Sequence, residues 1–229
     1  MNTASGYLLG FVLSSLLLGG CTSQITQTQE YSGYLSAYNN LQPVTTSSGQ
    51  TAMRWVSPSW NPNAYDTVVF NRLELYPMPR PNERVNRQTF QQLQDEMTDN
   101  ARGVLGQKYQ LVPTTQYARP GAKVLILRAA ITGVNASNQG MRWYEVIPVA
   151  AVIGGVSSIT GHRDQDTELY IEAEFIDAVN HQTVARVVRK VFGRTLDNAS
   201  QPVTSDDFKR AIGALTRDLQ AFTSNAPGY

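Results

Sequence analysis

The sequence is short of the residues on which most enzyme chemistry depends. Among its 229 residues there are one cysteine and two histidines. A disulfide framework and a cysteine-rich zinc site are therefore excluded, and little remains for acid–base exchange. Charge is scarce as well: 16% of residues are Asp, Glu, Lys or Arg, and the net charge is +1. An average globular domain carries about 25%. The chain is thus neither a charge-laced long helix nor a disordered acidic or basic tail, and it carries no field that draws nucleic acid. No HExxH, CxxC, P-loop, GxGxxG or GxSxG pattern is present, so the usual catalytic templates find no support. No cofactor and no enzymatic activity are expected.

What is present begins at the N-terminus. Tyr7 to Leu18 is a twelve-residue apolar stretch followed by Gly19, Gly20 and Cys21. It falls short of the roughly 20 residues that span a bilayer and has the shape of a secretory signal, although its leading segment has no Lys or Arg. Leu18-Gly19-Gly20-Cys21 resembles the lipobox of bacterial lipoproteins. That resemblance implies cleavage between Gly20 and Cys21, a diacylated Cys21 thiol and an acylated amino group. Thr22, where an Asp would retain such proteins, implies sorting to the outer membrane. One acyl chain holds a protein marginally; several hold it stably. Residues 22–30 are polar without an apolar period and read as a flexible tether of about 30 Å at full extension.

From residue 31 to 229 the chain reads as one periplasm-facing domain. Tyr31, Tyr34, Leu35, Tyr38 and Leu41 recur at helical spacing and predict a short helix. Gln42–Thr51, rich in Ser, Thr and Gly, breaks it. Trp55, Trp60 and Tyr65 among prolines predict an irregular aromatic arm, either covering the core or offering a surface to a glycan or peptide. A strand is expected over Thr67–Tyr76, ended by Pro77, Pro79 and Pro81. Phe90, Leu93, Met97, Ala101 and Leu105 mark an amphipathic helix that Gly106 closes. Strands follow at Tyr109–Val112, Lys123–Val134 and Met141–Val149, with a turn at Asn138-Gln139-Gly140. Thr167–Asp177 and Thr183–Phe192 form a hairpin around Asn180-His181. Ser205 caps a last helix whose apolar face is Phe208, Ile212, Leu215, Leu219 and Phe222. The expected fold is α+β, a largely antiparallel sheet with both helices on one face. The element order resembles that of small periplasmic lipoprotein domains.

Few residues invite chemistry. His162 lies beside Asp164 and Asp166, enough for a ligand site or a hydrolase only if a full set assembles. Asp164, Asp166 and Glu168 could meet a hard cation, or form a solvated acidic strand start. Along Thr167–Asp177, Leu169, Ile171, Ala173 and Phe175 point one way and Glu168, Tyr170, Glu172 and Glu174 the other. Arg186, Arg189 or Lys190 would face Glu172 and Glu174 across the hairpin, and Glu145 is a candidate partner for Arg128. The uncharged run Val146–Ile159, with Gly154 and Gly155 in small-residue stripes, reads either as buried packing or as an assembly or lipid contact. The residues marked for interaction are Tyr31, Tyr34, Tyr38, Gly154 and Gly155.

Gln24-Ile25-Thr26-Gln27, Tyr31-Ser32-Gly33-Tyr34-Leu35, Arg54-Trp55-Val56, Ala130-Ile131-Thr132-Gly133-Val134, Tyr144-Glu145-Val146-Ile147-Pro148-Val149-Ala150, Thr160-Gly161-His162-Arg163 and Glu174-Phe175-Ile176-Asp177-Ala178 stand along most of the chain. Together they resemble an uncharacterised family, the YdcL-type lipoproteins of enterobacteria with a domain of unknown function. The resemblance supports the lipid anchor at Cys21 and implies no catalytic residues. The expected partners are the membrane, through the acyl chains, and an envelope protein or a second copy of the chain.

Overall fold

The computed structural model describes residues 25–136, 166–198 and 200–224. Gly20 and Cys21, the segment carrying Gly154, Gly155, His162 and Asp164, and the expected turn and strand over 138–149 lie outside them. Among the described residues eight strands form one sheet: β1 (Gln42–Thr45), β2 (Thr51–Val56), β3 (Thr67–Val69), β4 (Glu74–Leu75), β5 (Gln110–Val112), β6 (Val124–Ala136), β7 (Thr167–Asp177) and β8 (Thr183–Phe192). Their order is β1-β2-β8-β7-β6-β3-β5, with β4 also on β6. Among the described residues two α-helices, α1 (Arg87–Leu105) and α2 (Lys209–Ser224), accompany the sheet.

Where the hydrophobic period is regular, sequence and structure agree. In α1 the side chains of Phe90, Leu93, Met97 and Leu105 are buried on one stripe. Asn86 caps the helix by accepting the Thr89 N–H at 2.9 Å. Ile212 of α2 is buried, and Leu215, Leu219 and Phe222 pack against the same core. That core also holds Leu127, Ala129, Leu169, Ile171 and Phe175 from β6 and β7, so both helices share one face of the sheet. On β6 a bulge lies between Ile131 and Gly133. It switches the core-facing set from Leu127, Ala129 and Ile131 to Val134 and Ala136, because one extra residue inverts the alternation.

Other expectations are corrected. Residues 31–41 form no helix; after a 3-10 turn at Thr28–Glu30 the chain runs irregularly into β1. The spacing of its tyrosines arises because an arm lying on a sheet must also turn an apolar side chain inward every few residues. Gln42–Thr51 is not a break but a hairpin, with Gly49 at φ 79° in its turn. Trp55 lies in β2, which pairs with β8, and Trp60 is a core residue stacked on Phe222. The strand at 67–76 divides into β3 and β4, and both run parallel to β6. Largely antiparallel remains the right description, with a parallel edge built by α1 carrying the chain from β3 to β5. The turn before α2 begins at Thr204 rather than Ser205: the Asp207 carboxylate accepts from the Thr204 N–H at 2.8 Å and its hydroxyl at 3.0 Å. Gly193 is needed there, since a Cβ would lie 2.6 Å from the Asp207 carbonyl oxygen.

Arg189 also departs from expectation. It stands opposite Ile171, so it faces the helices and pairs with Asp218 of α2. Burial works to raise the Asp218 carboxyl, but hydrogen bonds from Ser48 and Arg189 outweigh it and hold it below the ordinary value of 3.8. Such a group adds stability that is complete above its unfolded pKa and fades as pH falls through the lowered folded one. Asp218→Asn should therefore cost about 3 kcal/mol near neutrality. Urea unfolding across pH should show that deficit steady above about pH 5 and shrinking below about pH 4. A deficit independent of pH would contradict the assignment.

Candidate functional site

The second face of the sheet carries the most unusual chemistry. On β7 the side chains of Glu168, Tyr170, Glu172 and Glu174 alternate onto it, and none is more than 3% exposed. Of the acidic strand start read over Asp164, Asp166 and Glu168, Glu168 is buried rather than solvated, and Asp164 lies outside the described residues. A buried carboxylate demands donors or cations, and the N-terminal arm supplies most of them.

The arm lies along β7 from one end toward the other. Glu30 accepts from the Tyr170 hydroxyl at 2.9 Å and from Lys190 at 3.1 Å. The Ser32 N–H donates to Glu172 at 2.7 Å, and the Tyr38 hydroxyl donates to its other oxygen. The Ser36 hydroxyl donates to Glu174 at 2.6 Å. Gly33, at φ 86°, turns the chain between the Ser32 and Ser36 contacts. Of the described tether residues Thr26 is buried, at 2% exposure, while Ile25 and Gln27, Thr28 and Gln29 are exposed.

The remaining charges fit the same scheme. Arg128 of β6 pairs with Glu174 at 2.7 Å; Glu145, the candidate partner named from the sequence, lies outside the described residues. Its guanidinium also lies 4.8 Å from the ring centroid of Tyr34. Lys190 lies between Glu30 and Glu168. Burial pushes the Glu168 carboxyl above its usual range, with Lys190 opposing. Among the described residues Glu172 forms no ion pair, and its hydrogen-bond partners are groups of the arm. Burial and then the bond to Glu172 raise the Tyr38 hydroxyl to about 12.

Around these polar contacts Tyr34, Leu35 and Leu41 pack on Ala130 and Val188, and Tyr31 stacks on Tyr38 with centroids 4.8 Å apart. Of the tyrosines marked for interaction, Tyr34 is 4% exposed and donates to Glu74 at 2.8 Å. Tyr31 and Tyr38 are half-buried. Asp166 accepts from Thr195 at 3.0 Å. Glu30, Ser32 and Ser36 were not marked by the sequence; only the alternating acids on β7 pointed to this face. A separate apolar cavity of roughly 170 Å³ lies between the helices and the sheet, lined by Met97, Leu127, Ile171 and Phe222 among others. Tyr31, Tyr34 and Tyr38, the marked residues among those described, do not line it.

A family model described as "Protein of unknown function (DUF3313)" matches residues 30–219. The chain belongs to the DUF3313 family. The match begins at Glu30, so the DUF3313 region takes in most of the clamped arm as well as the sheet. The "Uncharacterized lipoprotein YdcL" of Escherichia coli (strain K12) is 37% identical over 225 residues, covering 98% of this chain and 99% of that protein. The YdcL of Escherichia coli O157:H7 gives the same figures. Two crystal forms of the PelC dodecamer from Paraburkholderia phytofirmans are also similar, at 12% identity with TM-scores of 0.39 and 0.40. They cover 75% of this chain and 95% and 96% of the PelC chain.

Glu172→Ala removes the acceptor for two arm donors at once. It should lower stability by about 2 kcal/mol and speed chymotryptic cleavage at Tyr31 and Tyr38. Urea unfolding and timed digestion measure both. Unchanged cleavage would show that the carboxylate does not hold the arm.

Proposed function

We propose that this DUF3313 chain is an envelope lipoprotein, its domain an interaction or structural module held close to a membrane by acyl chains on Cys21. The observation that carries the reading is the clamp. Residues 25–38 follow Cys21 closely, and Glu30, Ser32, Ser36 and Tyr38 fasten them to β7 and β8. Three residues, Thr22 to Gln24, separate Cys21 from the start of this segment, a reach of about 14 Å at most. An anchor so short sets both the distance of the domain from the lipid and the end that faces it.

Sequence and relatives support the same reading. Leu18-Gly19-Gly20-Cys21 has the form of a lipobox, and the curated relative YdcL is named a lipoprotein. Thr22 favours the outer membrane, with the domain on its periplasmic face. The module's partner would be another envelope protein or a second copy of this chain.

Expressed in an enterobacterial host, the wild-type chain should sediment with membranes and yield an N-terminal peptide carrying acyl mass on Cys21. Cys21→Ser should leave the chain unacylated and its signal uncleaved, so that the mature domain is lost from the membranes that hold the wild type. Fractionation and peptide mass spectrometry decide this. Sedimentation of Cys21→Ser with the same membranes as the wild type would overturn the proposal.

A further inference from the structure

One end of the sheet gathers features that the clamp alone does not explain. β6 ends at Ala136, opposite Thr167 at the start of β7, and β8 ends at Phe192, opposite Glu168. The chain enters the domain at this end, because Glu30 sits level with Tyr170 and Lys190 while Ser36 lies farther along β7. β4 runs parallel to β6, with Leu75 beside Ile131, so the loop that leaves it heads the same way. The Tyr76 N–H bonds to the Ile131 carbonyl at 3.0 Å. Farther along, Arg84 donates to the Ala136 carbonyl at 2.6 Å. That loop reads Tyr76-Pro77-Met78-Pro79-Arg80. Met78 is 80% exposed and Tyr76 37%, and Arg80 is exposed beside them. Three prolines within five residues restrict the backbone that presents these side chains.

We infer that this end of the sheet is a bilayer-docking surface, with Tyr76 and Met78 seated at the headgroup boundary and Arg80 on the lipid phosphates. The inference rests on the Cys21 anchor proposed above. A link of about 14 Å cannot hold the entry end far from the lipid, and the residues presented there suit the boundary. An apolar side chain gains by leaving water, tyrosine is enriched at membrane interfaces, and arginine reaches phosphate with its stem still covered.

The test supplies the anchor chemically. Cys21 is the only cysteine, so the mature chain can be coupled through its thiol to a maleimide lipid. The vesicles are of phosphatidylethanolamine and phosphatidylglycerol, with or without brominated acyl chains. Met78→Trp places a reporter on the docking end. Val179→Trp places one on the β7–β8 hairpin, where Val179 is 82% exposed at the other end of those strands. With native tryptophan emission subtracted, brominated vesicles should remove about half of the fluorescence added at position 78 and leave that at 179 unchanged. Tyr76→Trp gives a second reporter should Met78→Trp fold poorly. Equal quenching at both ends, or none at 76 and 78, would overturn the inference. Because the coupling does not depend on cellular lipidation, that result would leave the Cys21 reading to stand or fall by fractionation.

Discussion

Three carboxylates on one face of a central strand constrain the rest of this molecule. Glu168, Glu172 and Glu174 lie on β7, between β6 and β8, and none is more than 3% exposed. A charged group removed from water needs donors to replace those it lost. Lys190 and Arg128 meet part of that demand. The arm meets the rest with the Ser32 amide, the Ser36 hydroxyl and the Tyr38 hydroxyl. The sheet consequently has two covers of different chemistry. One is an apolar layer of two helices, held by non-directional burial. The other is a thin strip of chain, held by directional bonds whose geometry fixes its register.

That difference decides how much could be read from sequence. Periodicity reports burial, and the helix-facing side is buried in the ordinary apolar way. α1, β7 and β8 accordingly lie within a few residues of where alternation and the 3.6-residue period placed them. The arm leaves no such trace. Its bond to Glu172 spans 140 positions and its bond to Glu174 spans 138, and no local pattern encodes a contact at that range. Tyr31, Tyr34 and Tyr38 imitate a helix because three- and four-residue spacing also serves an irregular strip with one inward face. Glu172 and Glu174 were legible as a row of acids, but not as buried, since alternation says which residues share a face and not what covers it. The division of 67–76 into β3 and β4 was hidden for a similar reason, because its Val, Phe and Leu residues read as a single continuous run.

The arrangement also links anchor to fold. In the proposed arrangement the acylated Cys21 lies a few residues from a segment that folds with the sheet, not on a long leash. A pull on the anchor would then load hydrogen bonds on β7 and β8. Under the same proposal that shortness would direct one end of the sheet at the lipid. Membership of DUF3313 gives this chain relatives with no assigned activity. Their 37% identity over nearly the whole length makes the arm-on-strand arrangement a feature to seek in them.

Native-state hydrogen exchange of the Ser32 amide against amides in the middle of β7 tests the clamp most directly. If the carboxylate row makes arm and sheet one cooperative unit, the Ser32 amide should exchange only on global unfolding, with a protection free energy equal to that of the strand. Exchange of Ser32 at rates near those of an unfolded peptide, with β7 still protected, would show that the arm opens alone and would contradict the account.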